Sequence, residues 1–126
     1  MSGLIKRILI IEDSPTERYL LERILAPRYA VEAHECAEHG LAALARPGPV
    51  IDLVLMDIIL PGMDGFAATR TICRDPKTSG IPVVLCTTKS GEADIHWGLR
   101  QGACWHIAKP IHGPRLLSIL HTILGK

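Results

Sequence analysis

Three short runs of aliphatic residues, each closed by a polar or acidic side chain, constrain this chain more than any other feature. Residues 8–11 (Ile-Leu-Ile-Ile) run into Glu12 and Asp13, residues 51–56, broken only by Asp52, run into Asp57, and residues 81–86 run into Thr87. A strand with no polar alternation is covered on both faces, so each run needs helices above and below it. Only five of the 126 residues are aromatic, which leaves the core to Ile, Leu, Val and Ala.

The intervening segments carry helix signals. Ser14-Pro15-Thr16-Glu17 spells a helix start: Ser as N-cap, Pro at N1 where no amide bond is lost, and Glu at N3 to close a capping box. That helix is expected to reach residue 26, with Leu20, Leu21, Ile24 and Leu25 on one apolar stripe and Pro27 as its stop. Residues 29–34 predict a weaker edge strand, and 37–46 a small-residue helix closed by Pro47-Gly48-Pro49. The turn Pro61-Gly62-Met63-Asp64-Gly65 leads into a helix over 66–73; residues 91–101 form another, ended by Gly102. Residues 104–108 are the last strand and 114–124 the last helix, its stripe made by Leu116, Leu117, Leu120, Ile123 and Leu124. Five strands alternating with five helices give an α/β, doubly wound parallel sheet with right-handed crossovers. The length fits one domain, residues 1–126.

Composition removes several classes of function. Fourteen basic against thirteen acidic residues leave a net charge of +1, without the global field that nucleic-acid binding draws on, so nucleic acid is not an expected partner. Hydrophobic residues at 48% and charged ones at 21% are globular usage and exclude a disordered or collagen-like chain. No uncharged stretch approaches the ~20 residues that cross a bilayer. The run after Met1-Ser2-Gly3-Leu4 is too short for a secretory signal, so a soluble, cytoplasmic protein is expected. Cys36, Cys73, Cys86 and Cys104 form no C-x-x-C pair and are expected to be reduced thiols filling small core spaces.

In an open sheet of this kind the ligand site lies at the carboxyl ends of the strands, where the strand order reverses. The residues there are Glu12, Asp13, Asp57, Thr87 and Lys109. Converging carboxylates repel: two unit charges ~4 Å apart cost about 4 kcal/mol at an effective dielectric of about 20. A hard dication bound by oxygens offsets that, so Mg2+, with Mn2+ as the alternative, is the expected cofactor; no His or Cys is placed to favour zinc. A carboxylate can also attack phosphorus to give an acyl phosphate when the equatorial oxygens of the moving group are neutralised. The metal, the Lys109 ammonium and the Thr87 hydroxyl suffice for three oxygens, and Asp57, the acid alone at a strand end, is the expected acceptor.

These residues carry a family resemblance over nearly the whole chain. Ile11-Glu12-Asp13-Ser14, Leu55-Met56-Asp57-Ile58, Pro61-Gly62-Met63-Asp64-Gly65, Thr87-Thr88, Gln101-Gly102-Ala103 and Lys109-Pro110 together resemble the CheY-like response-regulator receiver domains of two-component systems. The resemblance implies a flavodoxin-like strand order of 2-1-3-4-5 and phosphorylation of Asp57 by a sensor histidine kinase or its phosphotransfer domain. It implies magnesium held by Asp13, Asp57 and the Ile59 carbonyl, with Glu12 acting through water. Thr87 and Lys109 become the response and salt-bridge residues, the Lys109-Pro110 bond is cis, and the effector face is made by the fourth helix, fifth strand and fifth helix. A narrower resemblance, on Asp13-Ser14-Pro15-Thr16-Glu17, Ala68-Thr69-Arg70, Thr87-Thr88-Lys89, Trp97-Gly98 and Arg100-Gln101-Gly102-Ala103, is to the stand-alone regulators of chemotaxis-like pathways that drive type IV pili and twitching motility. It adds Thr88, Trp97 and Pro110 as switch or interaction residues, and a monomer or weak homodimer with no output domain after Lys126.

Two positions depart from the family pattern. His106 stands where receivers usually carry Tyr or Phe, so any ring swing would be made by an imidazole, whose unperturbed pKa is ~6.5; a half-exposed strand residue is the plainer expectation. Ile59 offers no group to orient a water against the acyl phosphate, which implies slow self-dephosphorylation. Trp97 fits either packing or partner contact. The spacing of His96, His106, His112 and Cys104 suits no closed tetrahedral metal site. Two rivals stay open on sequence: a haloacid-dehalogenase-type phosphohydrolase, which would want an acid at position 59, and a receiver-shaped adaptor that never takes phosphate. The expected role is a switch with self-directed phosphotransfer and no other turnover.

Overall fold

Each aliphatic run becomes a strand, and each amphipathic segment a crossover helix. The computed structural model describes residues 5–125, so the first four residues of the signal-sequence reading, and Lys126, lie outside it. The elements are β1 (Arg7–Ile11), α1 (Pro15–Leu25), β2 (Ala30–His34), α2 (Ala37–Ala45), β3 (Leu53–Met56), α3 (Gly65–Arg74), β4 (Val83–Thr87), α4 (Glu92–Gln101), β5 (Trp105–Ala108) and α5 (Gly113–Leu124). The strands form one parallel sheet in the order β2-β1-β3-β4-β5, with β2 at an edge as its weaker pattern predicts.

Side-chain alternation divides the core in two. Ile8, Ile10, Leu53, Leu55, Val84 and Ile107 pack against Leu21 and Leu25 of α1 and Leu116, Ile119 and Leu120 of α5. Leu9, Ile11, Val54, Met56, Val83 and Leu85 pack against α2 and α3 through Ala37, Ala43, Ala68 and Ile72. Tyr29 is the one aromatic among the buried core residues described, as an aliphatic composition requires.

Several expectations shift. Strand β3 starts at Leu53 because Asp52 turns its carboxylate back to the Arg7 amide (2.7 Å), and Thr87 closes β4 from inside the strand. Leu20 is 53% exposed and leaves the apolar stripe of α1. Of the four cysteines only Cys86 is buried; Cys36 and Cys73 are half-buried and Cys104 is exposed, so the core-filling role holds for one thiol. The Lys109-Pro110 bond is cis. Among the described residues no helix is long and apolar enough to cross a membrane.

One glycine fixes the approach of α3 to the end of β3. A Cβ at Gly65 would overlap the Asp57 carbonyl oxygen and lie 2.7 Å from the Ile58 Cα, backbone atoms that cannot step aside. The Gly65 amide meanwhile donates to the Ile58 carbonyl at 2.9 Å. Gly65→Ala is therefore expected to lower the free energy of urea unfolding by about 1–3 kcal/mol, the usual cost of overpacking; an unchanged midpoint would show that this loop has slack.

Candidate functional site

Register decides which polar residues meet. Ile11 stands level with His34 of β2 and Met56 of β3, so Glu12 and Asp57 leave the sheet side by side. The Glu12 amide donates to the His34 carbonyl and the Asp57 amide to the Ile11 carbonyl, each at 3.0 Å. On the other side Thr87 is level with Ala108, and the Lys109 amide donates to the Thr87 carbonyl at 3.0 Å. Alternation then selects the face. Ile10, Leu55 and Ile107 point into the α1/α5 layer, and two residues beyond them come Glu12, Asp57 and Lys109.

The Lys109 ammonium is the centre of what results. Its Nζ lies 2.6 Å from Glu12 Oε1, 3.0 Å from Asp57 Oδ2 and 2.6 Å from Glu17 Oε1, and its side chain is 6% exposed. Two of the three carboxylates have a second anchor: Glu12 Oε2 accepts the Ser14 amide at 3.1 Å, and Asp57 Oδ1 the Ile58 amide at 2.7 Å. Glu17 is the participant that sequence missed. Its position at N3 assigned it to the capping box, whereas the Ser14 side chain caps α1 by accepting the Glu17 amide and the Glu17 carboxylate crosses to Lys109.

Asp13 is exposed at the mouth of the cluster. One carboxylate oxygen from each of Glu12, Asp13 and Asp57 lies within 4.8 Å of the other two. Ligands at the ~2.0–2.1 Å of magnesium stand about 3–4 Å apart from one another, so these oxygens fit a small hard dication with small rotations. With Glu17 included, four carboxylates face one ammonium. Burial pushes the Glu12 carboxyl up to about 7 against its hydrogen bonds from Lys109 and Ser14, and the Asp57 charge adds to the rise. For Lys109 burial pulls downward, but the hydrogen bonds to Glu12, Glu17 and Asp57 outweigh it and hold the ammonium above the ordinary lysine range. Beneath the cluster, burial pushes the Cys86 thiol up to about 12.

Of the remaining predicted residues, Ile59 joins this centre through its amide, which donates to Asp57 Oδ1 at 3.4 Å, and the others surround it. The buried Thr87 hydroxyl accepts the Lys89 amide at 3.1 Å, which braces the loop after β4. His106, half-exposed as the plainer expectation has it, places Nε2 3.0 Å from the Lys89 carbonyl, so it donates there and Nδ1 is left without a partner. Thr88 and Pro110 line a groove beside Lys109 whose wall is Leu20, Leu21, Ile24 and Ile111. Ile59 is 54% exposed at the rim, and Trp97 is 47% exposed on α4, so part of its side chain is packed and part is open. Among the described residues no histidine or cysteine joins a metal-sized cluster.

The model of the response regulator receiver domain matches residues 8–121. The chain belongs to that family. Over 120 residues it is 44% identical to Protein PilH of Pseudomonas aeruginosa, covering 94% of this chain and 98% of that one. It is 37% identical over 118 residues to the response regulator PleD of Caulobacter vibrioides; this covers 93% of the chain but 26% of PleD, so the receiver is about a quarter of that longer relative. Among solved structures, the receiver domain of a Pseudomonas aeruginosa sensor histidine kinase superposes with a TM-score of 0.87 at 27% identity, over 98% of this chain and all of that one. That structure carries a magnesium ion coordinated in its active-site cleft. The receiver fold, its strand order and its acid cluster thus agree with the family.

The metal-free receiver should show its crowded acids in its pH profile. Folded Glu12 holds a proton up to about pH 7, whereas the unfolded chain releases it near 4.5, so the folded state binds more protons in between. The stability of wild type relative to Glu12→Gln is expected to fall as pH rises from about 4.5 to about 7, measured by denaturant unfolding in EDTA. A difference constant with pH would contradict the raised value.

Proposed function

We propose that this chain is a single receiver, residues 1–126, acting as a Mg2+-dependent phosphoryl-accepting switch in a two-component pathway. The observation that carries the proposal is the Asp57 carboxylate, held by the Lys109 ammonium at 3.0 Å beside oxygens spaced for a dication. Asp57, Asp13 and the Ile59 carbonyl would hold the ion, with Glu12 acting through water, and the ion would neutralise one oxygen of the moving group. The donor is a sensor histidine kinase or its phosphotransfer domain. Its phosphohistidine N–P bond breaks as an Asp57 O–P bond forms, and the freed imidazole nitrogen keeps the electron pair and takes a proton from water.

The chain's own groups answer the new charge. Lys109 turns an N–H to one phosphoryl oxygen, and Thr87, releasing the Lys89 amide, donates its hydroxyl to another. The loop between β4 and α4 follows Thr87, and His106 is tied to that loop through the Lys89 carbonyl. Switching is thereby passed to the face of α4, β5 and α5, where Trp97, Leu99 and Trp105 are exposed for an effector protein. The ring at 106 moves as an imidazole in place of the usual phenol or phenyl. The exposed apolar Ile59 leaves no acid where a phosphohydrolase would need one, and no side chain to aim a water at the acyl phosphate. The 44% identity to PilH and the resemblance to pilus regulators support a pathway that controls type IV pili and twitching motility, in the cytoplasm.

Incubation with phosphoramidate and Mg2+, read by intact-protein mass, is expected to add one phosphoryl group to wild type and none to Asp57→Ala. The adduct should outlast a time course of minutes; loss within seconds would overturn the role given to Ile59. Asp13→Ala should weaken Mg2+ binding by about tenfold or more, since even partners outside the ligand set are worth 10–100-fold. Phosphorylation of Asp57→Ala at wild-type stoichiometry would end the proposal.

A further inference from the structure

Glu17 has no part in the transfer just described, yet it takes one third of the Lys109 ammonium. An ammonium has three N–H donors, and those of Lys109 face three carboxylates, Glu12, Asp57 and Glu17. Lys109 is therefore saturated, and any further anion must displace one of the three. Glu12 and Asp57 are poor candidates while the anion approaches: their side chains are 2% and 9% exposed, so a released Glu12 carboxyl would lose its partner without gaining water, and Asp57 stays a buried carboxylate until the O–P bond forms. The Glu17 side chain is 42% exposed and can return to water.

Glu17 is also free of any duty to its own helix. Ser14 already accepts the Glu17 amide at 3.3 Å, and the Ser14 amide that a capping box would hand to Glu17 goes to Glu12 Oε2 at 3.1 Å. Nothing in the cap of α1 holds the Glu17 carboxylate, and it spans from the helix to the end of β5.

We propose that Glu17 is a positioning residue for phosphoryl transfer: it occupies the Lys109 N–H that the phosphoryl group will need, and it is the acceptor that yields when that group arrives. Granted the phosphoryl transfer proposed above, Glu17 sets the threshold for activation. It raises the barrier in two ways, by competing for the donor and by placing a negative charge next to an arriving anion. For the dication the second effect has the opposite sign, since the same charge favours Mg2+.

A graded pair of variants tests this. Glu17→Gln keeps a neutral, weaker acceptor for Lys109, and Glu17→Ala removes the acceptor. At saturating Mg2+, beryllofluoride affinity and the initial rate of phosphorylation by phosphoramidate should rise in the order wild type, Gln, Ala, with a gain of at least threefold in Ala. Mg2+ affinity without an anion should fall in both variants. A role confined to docking α1 would lower the thermal midpoint and leave anion affinity unchanged or weaker, and that result in a folded Glu17→Ala overturns the proposal, as does a gain in anion affinity accompanied by tighter Mg2+. Should wild type itself take neither beryllofluoride nor phosphate, the receiver function fails, and this inference with it; a wild type that reacts beside variants that match it refutes Glu17 alone.

Discussion

The contact on which the rest depends is the Lys109 ammonium shared among three carboxylates. It joins the end of β5 to the ends of β1 and β3 and to the first turn of α1, Lys109 standing 97 positions after Glu12. A buried lysine loses hydration that only well-placed acceptors can replace, so this contact exists only if β1, β3 and β5 stop in register and on the same parity. The sheet accordingly delivers Glu12, Asp57 and Lys109 on the α1/α5 face. Thr87, at the end of β4, accepts the Lys89 amide on its hydroxyl and so ties the site to the loop that follows.

The cluster is held under strain by its charges. Four carboxylates share one ammonium, the Arg18 guanidinium reaching only the Glu12 and Asp13 carbonyls, and Glu12, the most enclosed, holds a proton chiefly because burial disfavours its charge, with the Asp57 charge adding to the rise. A dication at the exposed Asp13 side would relieve the excess negative charge, whereas a phosphoryl group would add to it. The resting site is thus neither stably filled nor empty of demand, which is the physical condition for a switch whose two states differ by small ligands.

Much of this was legible in the chain because the strands are written as unbroken aliphatic runs. Ile8 to Ile11 and Leu53 to Met56 carry no alternation, so burial on both faces follows at once, and the acids just beyond them stand out by contrast. Register is not written in one dimension, yet parallel strands that all end at one rim bring their next residues together whichever pairs align. What stayed hidden was tertiary. Glu17 fits a local capping rule completely, so nothing local revealed that Glu12 would take the Ser14 amide and Lys109 the Glu17 carboxylate. Leu20 fits the helical stripe of α1, but the face it shares opens onto a groove in place of the core. Cys104 looks like a core thiol by type and is exposed because it stands just ahead of an edge strand.

Cys86 is buried near the carboxylates, and burial pushes its thiol up to about 12. Only the thiolate binds thiophilic ions or attacks an electrophile, so at neutral pH that sulfur offers neither. The rim consequently presents carboxylate oxygens, donors that suit a hard dication better than zinc or copper.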